Sequence, residues 1–214
     1  MGWDILLFDL DGTLTDSGPG IMHAAAAALA PFGITGLSEP ALRYFVGPPL
    51  VESFAEYLPE NAVQTAIETF RSYYRARGWL ENEPYPGIPE CLQTLRAAGK
   101  QMYVATSKLE TMACQVLEHF GLLSYFDGVC GGIANDPEAG KKANVVRRVL
   151  KKAGCEDPSR AVLTGDRSYD MLGGHAAGTQ TIGVLYGYGS REELLRAGAD
   201  RLAATPAELL TLLL

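Results

Sequence analysis

Short apolar runs alternate with amphipathic helical patterns along most of the chain, and this alternation limits the possible folds more than any other feature. Apolar runs without helical spacing begin at residues 4, 101, 160 and 179, as DILLFDL, QMYVATS, RAVLTGD and TQTIGVLYG. Between them lie the helical patterns PECLQTLRAAG, LETMACQVLEHFG and KKANVVRRVLKKAG. Each ends on a glycine, the residue that most often adopts the left-handed backbone conformation at the C-terminus of a helix. The pattern predicts an α/β fold, a Rossmann-like parallel sheet with helices on both faces.

One long segment interrupts this alternation after the first apolar run. It contains IMHAAAAALAPFG and AVQTAIETFRSYYRARG, which favour helices, and no convincing strand. The crossings at Asp16–Gly18 and at ENEPYPG are rich in glycine, proline and polar residues, which suits hinges. We therefore expect an α/β core domain of residues 1–16 and 84–214, and an inserted α-helical cap domain of residues 17–83.

Composition excludes several classes of partner and location. The formal net charge of -7 argues against a nucleic acid or an anionic membrane as partner. No apolar stretch approaches the roughly 18 residues of a membrane span, and no basic segment precedes the first apolar run as in a signal peptide. The four cysteines form no C-x-x-C pair, which disfavours a zinc or redox motif. We expect a soluble, cytoplasmic protein, monomeric or homodimeric.

Acidic and hydroxyl side chains follow three of the predicted strands, at the point where each strand ends. Because ligands of a parallel sheet bind beyond the carboxyl ends of its strands, we expect these side chains to converge. Several neighbouring carboxylates need a cation, and ligand sets made only of oxygen suit Mg²⁺, which often shares a phosphate oxygen. The pattern predicts a magnesium site and a phosphorylated substrate. The residues are Asp9, Asp11, Thr106, Ser107, Asp166 and Asp170.

Four motifs in order make the chain resemble the haloacid dehalogenase superfamily, in its phosphatase branch with a helical cap after the first strand. They are DLDGTLTDS, ATS, GKKANVV and GDRSYD. The stretches VGPPL, YPGIPECLQTLRAAG and IGVLYGYGSREELLRAGAD further resemble the phosphoglycolate phosphatase group. The resemblance covers nearly the whole chain.

Carried over residue by residue, the resemblance implies a chemical role for each acid. Asp9 is the nucleophile that forms an aspartyl-phosphate. Asp11 protonates the leaving oxygen and then activates water. Asp9, the main-chain carbonyl of Asp11, Asp166 and Asp170 hold the metal, with Asp166 a direct ligand and Asp170 acting through water. Arg167 is expected to be a structural partner of these acids.

The resemblance also implies which groups bind the phosphoryl group. Thr106, or the main-chain N–H of Ser107, donates a hydrogen bond to a phosphoryl oxygen. For the lysine that offsets the negative charge, the sequence offers Lys141 or Lys142, and more remotely Lys108. We choose Lys142, which precedes ANVVRRVL at the spacing that the family uses.

In the cap, two residues of RYFVGPPL are candidates for contacts with the substrate. Arg43 is a possible anion contact, and Gly47 is a position where the backbone can approach a ligand closely. An exposed arginine beside a proline turn is an equally good account of Arg43.

These expectations combine into a Mg²⁺-dependent phosphomonoester hydrolase that acts on a small phosphorylated metabolite. Phosphoglycolate comes first on resemblance, and a nucleoside 5'-monophosphate or a pyrophosphate is the alternative. A dehalogenase would not need Asp11, and a phosphonatase would need a cap lysine, whereas no lysine occurs before residue 100. A sugar-phosphate mutase and an inactive binding module remain further alternatives.

Overall fold

The structure is a computed structural model and describes residues 2–214. The chain divides into two compact units. One contains the residues up to Thr15 together with Pro84–Leu214, and the other is Asp16–Glu83. The two units are described separately below.

The strands of the described residues are, in chain order, β1 (Ile5–Phe8), β2 (Thr15–Asp16), β3 (Glu83–Pro84), β4 (Gln101–Leu109), β5 (Gly128–Gly132), β6 (Ala161–Gly165), β7 (Gln180–Val184) and β8 (Arg201–Ala203). Six of them form one parallel sheet in the order β5-β4-β1-β6-β7-β8. The short strands β2 and β3 lie where the chain passes between the units. The predicted parallel sheet is confirmed.

The helices are α1 (Gly18–Leu29), α2 (Glu39–Arg43), α3 (Leu50–Ala55), α4 (Glu60–Ala76), α5 (Ile88–Ala97), α6 (Glu110–His119), α7 (Lys142–Lys152), α8 (Ser168–Ala177), α9 (Arg191–Arg196) and α10 (Pro206–Leu213). Helices α1 to α4 belong to the second unit, and the others to the first. Within residues 2–214, none of them has the length and apolar character to cross a membrane.

The first unit is built around the central strand β1, whose four residues are all buried. Ile5 and Leu7 share a hydrophobic cluster with Val145, Val146 and Val149 of α7. Burial on both faces explains why β1 reads as a continuous apolar run instead of an alternating one. After β1 the sheet adds β4 and β5 on one side and β6, β7 and β8 on the other. In such sheets ligands bind at this switch point, beyond the carboxyl end of β1.

The second unit packs α1 against α4, which are its two longest helices. The alanine-rich run of α1 is buried on one side, at Ala24, Ala25 and Ala28. Small side chains let the other helix approach closely. The turn that follows α4 also lies close to α1, since a Cβ atom at Gly20 would lie 1.9 Å from the carbonyl oxygen of Gly78.

Candidate active site

The turn after β1 carries the first two acids. The main-chain N–H of Asp9 donates to the carbonyl of Thr164 at 2.9 Å, which continues the pairing with β6. The chain then turns at Gly12, which has a φ of +84°, a conformation that favours glycine. A Cβ atom there would lie 2.2 Å from Oδ2 of Asp166. A glycine is therefore required for the turn to pass so close to the acid that follows β6.

Lys142 is a buried cation at the centre of the site. Its Nζ lies 2.8 Å from Oδ1 of Asp9, 2.8 Å from Oδ1 of Asp170 and 2.9 Å from the carbonyl oxygen of Ala105. The ammonium group therefore donates a hydrogen bond to the carbonyl oxygen and forms ion pairs with the two carboxylates. Lys142 is the first residue of α7, and Gly173 of α8 leaves room for it, since a Cβ atom there would lie 2.6 Å from its side chain.

Three buried carboxylates form an oxygen cluster beside this lysine. Oxygens of Asp9, Asp166 and Asp170 all lie within 4.8 Å of one another. Asp166 accepts the main-chain N–H of Tyr188 at 2.8 Å and the Thr13 hydroxyl at 3.4 Å. These contacts fix the orientation of the buried carboxylate.

The Asp170 carboxylate is oriented by a main-chain group at the start of its own helix, α8. It accepts the main-chain N–H of Arg167 at 3.1 Å, at the start of α8. The Arg167 guanidinium pairs with Glu193 at 2.9 Å. Arg167 thus supports the start of α8 through both its main chain and its side chain.

Burial and mutual repulsion raise the pKa of two of these acids. Burial raises the pKa of Asp9 to about 6, against the opposing charge of Lys142 and with help from Asp170. The pKa of Asp166 is raised well above its usual range, by burial and by the charges of Asp170 and Asp9. The pKa of Lys142 is raised by its two carboxylate partners in spite of burial. The cluster carries more negative than positive charge, so it fits a hard divalent cation such as Mg²⁺.

The end of β4 supplies hydroxyl and amide groups to the same edge of the sheet. Thr106 is buried, and its Oγ1 accepts the main-chain N–H of Lys108 at 3.2 Å. Its own O–H can therefore donate to a bound ligand. Ser107 is exposed.

Sequence reasoning missed the position of Lys108. Its Nζ lies 2.8 Å and 2.9 Å from the two carboxylate oxygens of Asp11, and both side chains are largely buried. The sequence offers this residue only as a remote alternative to Lys142. The available signal was a lysine two residues after the threonine of the second motif, but the irregularity in β4 that directs it could not be predicted.

The remaining candidates are Lys141 of the first unit and two residues of the second unit. Lys141 is exposed and pairs with Glu138 at 2.5 Å. Arg43, the last residue of α2, and Gly47, with a φ of +104°, belong to the second unit, and both are exposed.

Comparisons with known proteins point to one family and several activities. The model of haloacid dehalogenase-like hydrolases matches residues 6–184. The tyrosine-protein kinase PtkA of Mycobacterium tuberculosis is 38% identical over 185 residues, which are 86% of this chain and 63% of the kinase. The chain therefore spans less than two thirds of the length of that relative.

Other relatives match along most of their own length. The 5'-nucleotidase of Pseudomonas aeruginosa is 36% identical over 88% of this chain and 86% of its own length. The phosphoglycolate phosphatase of Agrobacterium fabrum is 34% identical over 86% and 81%. Among solved structures, a predicted phosphatase from Clostridium acetobutylicum superposes with a TM-score of 0.92 at 38% identity, covering 99% of this chain and 98% of that one. The family match and these phosphatase relatives support a phosphatase.

Proposed function

Because this chain belongs to the family of haloacid dehalogenase-like hydrolases, we propose that it is a Mg²⁺-dependent phosphomonoesterase that acts through an aspartyl-phosphate. The observation that carries the proposal is the buried ammonium of Lys142, held 2.8 Å from Asp9 and 2.8 Å from Asp170, with Asp166 in the same cluster. A nucleophile, a charge-offsetting cation and metal-binding carboxylates are together what phosphoryl transfer requires.

In the first step a carboxylate oxygen of Asp9 attacks phosphorus. The new O–P bond forms as the bond from phosphorus to the leaving oxygen breaks, and Asp11 gives its proton to that oxygen. Lys142 holds Asp9 in place and offsets negative charge on the phosphoryl group. The Thr106 hydroxyl donates to a phosphoryl oxygen, since its acceptor side is already used by Lys108 N–H.

In the second step Asp11, now a carboxylate, takes a proton from water. The resulting hydroxide attacks phosphorus, the aspartyl O–P bond breaks, and Asp9 is regenerated together with inorganic phosphate. Asp11 thus returns to its protonated form, and each cycle consumes one water.

The metal would be held by Asp9, the main-chain carbonyl of Asp11, Asp166 and Asp170. These groups supply only oxygen ligands. Three of them are buried carboxylates that lie close together, which suits Mg²⁺. When bound, Mg²⁺ would polarise a phosphoryl oxygen and neutralise charge that develops in the transition state.

Two substrate classes are supported by the relatives' activities. Phosphoglycolate is our first choice, because VGPPL and IGVLYGYGS resemble that group and a phosphoglycolate phosphatase is 34% identical. A nucleoside 5'-monophosphate is the second, in view of the 36% identical 5'-nucleotidase. The two are separated by comparing kcat/KM on both substrates with Mg²⁺.

The test of the chemistry is Asp9→Asn, assayed on p-nitrophenyl phosphate with Mg²⁺. We expect kcat to fall by about 10³-fold or more, because the amide cannot form the acyl phosphate. The matched control is Asp4→Asn, which changes an exposed acid that pairs with Arg160 on the first unit. Asp9→Asn turnover within about tenfold of the wild type would contradict the proposal.

The tyrosine-protein kinase relative suggests a second acceptor for the same intermediate. If the aspartyl-phosphate transferred its phosphoryl group to a tyrosine, phosphotyrosine would form, and Asp9→Asn would abolish both this and hydrolysis. We expect release of inorganic phosphate to exceed phosphorylation of the peptide when a tyrosine peptide is added.

A further inference from the structure

A carboxylate from another helix holds the first turn of α8. The first N–H groups of a helix have no partner within it and need acceptors from outside. At the start of α8 the main-chain N–H of Arg167 donates to the Asp170 carboxylate at 3.1 Å. The next N–H, that of Ser168, donates to Oε1 of Glu193 at 2.9 Å. Because Glu193 lies in α9, the two helices are joined at the turn that separates Asp166 from Asp170.

The Glu193 side chain is itself held in place and carries a negative charge. Its Oε1 also accepts the Nε–H of Arg167 at 2.9 Å, and its main-chain N–H donates to Oγ of Ser190, the N-cap of α9, at 3.1 Å. Burial acts to raise the pKa of Glu193, but the hydrogen bonds from Ser168 and Arg167 lower it below its ordinary value. Glu193 is therefore ionised at neutral pH, and hydrogen bonds to an ionised acceptor are about twice as strong as neutral ones.

The chain that leads into α9 contacts the same turn at two further points. The main-chain N–H of Tyr188 donates to the Asp166 carboxylate at 2.8 Å. At Gly189 the two backbones touch, since a Cβ atom there would lie 2.0 Å from the carbonyl oxygen of Asp166. Residues 188–193 therefore hold the turn after β6 at successive positions, and the contact made by Glu193 is the nearest of these in sequence to Asp170.

The reaction steps proposed above give Glu193 no task, but its contacts act on Asp170. The turn of residues 167–170 is closed by two reciprocal hydrogen bonds. The Asp170 N–H donates to the carbonyl oxygen of Arg167 at 3.0 Å, and the Asp170 carboxylate accepts the Arg167 N–H. The other oxygen of that carboxylate lies 2.8 Å from Nζ of Lys142. A movement of this turn would therefore move a carboxylate of the oxygen cluster.

We propose that Glu193 is a positioning residue of the active site, which holds the first turn of α8 so that the Asp170 carboxylate is aligned for Mg²⁺ and for Lys142. This inference rests on the phosphatase function proposed above and adds to it a residue that acts through others. Removing a group that orients a metal ligand typically weakens metal binding by about 10- to 100-fold. The role is noncovalent, and the bonds made and broken are those of the two steps already described.

The first test measures Mg²⁺ affinity by isothermal titration, which does not depend on turnover. In Glu193→Ala we expect the dissociation constant for Mg²⁺ to rise by about 10- to 100-fold, because the Asp170 carboxylate is no longer aligned. Glu193→Gln keeps a carbonyl oxygen that can accept an N–H, so it should recover part of the affinity, which guards against misfolding of Glu193→Ala. The matched control Glu192→Ala changes the exposed neighbour on α9 and should keep the wild-type affinity.

The second test measures amide hydrogen exchange by NMR in the metal-free protein. The Arg167 amide is the diagnostic one, because it donates to Asp170, whereas Glu193 accepts from the Ser168 amide. In Glu193→Ala the Arg167 amide should exchange about tenfold faster, as for the loss of one hydrogen bond. The amides of residues 174–177, later in α8, should keep their wild-type rates.

Wild-type Mg²⁺ affinity in Glu193→Ala would overturn the inference, and so would an unchanged exchange rate at Arg167. Equally faster exchange along the whole of α8 would overturn it as well, because Glu193 would then only stabilise the helix. A wild-type protein that binds no Mg²⁺ would instead count against the proposed Mg²⁺-dependent function, and the Arg167 amide would still decide whether Glu193 positions Asp170.

Discussion

At the scale of single residues, the site depends on Lys142. The ammonium is enclosed by two carboxylates and a carbonyl oxygen, and only 7% of the residue is exposed. A buried charge of this kind is stable because its partners are in place, and removing one member leaves the others uncompensated. Lys142 therefore has both a chemical and a structural role in our proposal.

Replacing Lys142 with methionine should affect activity and stability together. We expect kcat to fall by about 10³-fold or more, because negative charge at phosphorus is no longer offset. Without Mg²⁺ the free energy of unfolding should fall by about 3–5 kcal/mol, since Asp9 and Asp170 remain buried without their cation. Urea denaturation and assays on p-nitrophenyl phosphate measure the two effects.

Lys141→Met is the matched control for this variant. Lys141 is 62% exposed and pairs with the exposed Glu138, so its removal should change the free energy of unfolding by less than about 0.5 kcal/mol. A larger loss of activity in Lys141→Met than in Lys142→Met would assign the phosphate-binding role to Lys141.

Motif positions and strand ends predicted which residues should meet, but not all of their contacts. Asp9, Asp166 and Asp170 could be grouped because acids at the carboxyl ends of neighbouring parallel strands share one edge. The contact of Lys108 with Asp11 depends on a shifted register in β4, which no local periodicity reports. The catalytic roles of these residues stay predictions.

At the scale of elements, the loop after β7 is shaped around Asp166. A Cβ atom at Gly187 would lie 2.3 Å from the carbonyl oxygen of Gly12 and 2.4 Å from the Cβ of Asp166. The next residue, Tyr188, donates its main-chain N–H to the Asp166 carboxylate at 2.8 Å. The loop therefore sets the orientation of an acid that it does not itself contain.

Gly187→Ala should displace this loop and turn the Asp166 carboxylate. We expect Mg²⁺ affinity to fall by about tenfold or more, as for the loss of a group that orients a metal ligand. Isothermal titration with Mg²⁺ measures the change without relying on turnover. Gly140→Ala is the control, because a Cβ atom there meets its nearest neighbour, the carbonyl oxygen of Ser107, at 3.6 Å. Equal affinity in Gly187→Ala and the wild type would contradict the role given to the loop.

The sequence predicts four strands of the sheet and misses two. The runs that became β1, β4, β6 and β7 are rich in apolar residues because these strands are buried. Sequence analysis missed β5, whose sequence GVCGG contains three glycines, and β8, which has three residues. Glycine lowers strand propensity, and a three-residue strand is too short for a period to be recognised. Tertiary pairing with β4 and β7 forms these two strands.

At the scale of the whole molecule, the order of the strands and helices is the feature that best predicts the family and the fold class. The predicted family and the predicted fold class are confirmed by the match over residues 6–184 and by the six-stranded parallel sheet. The order of strands and helices can be predicted because most elements are recognised from the pattern of their own stretch of sequence. The site then follows from the switch point at β1, where the turn after β1 meets the ends of β4 and β6.

Binding of Mg²⁺ should stabilise the whole folded protein, because the carboxylates converge only when β1, β6 and α8 are in place. At a free Mg²⁺ concentration about 100 times the dissociation constant, the expected gain is about 2.7 kcal/mol. For a chain of this size that corresponds to a rise in Tm of about 5–11 °C, measured by differential scanning calorimetry.

Asp166→Asn should lose most of this Mg²⁺-dependent rise in Tm, because it removes one of the three clustered carboxylates. Its Tm without metal should equal or exceed that of the wild type, since a buried charge repelled by Asp9 and Asp170 has been neutralised. Asp157→Asn, a change at an exposed acid whose side chain contacts Ser159, should keep the full rise. An equal rise in Asp166→Asn and the wild type would place the stabilising ion elsewhere on the protein and contradict the proposed magnesium site.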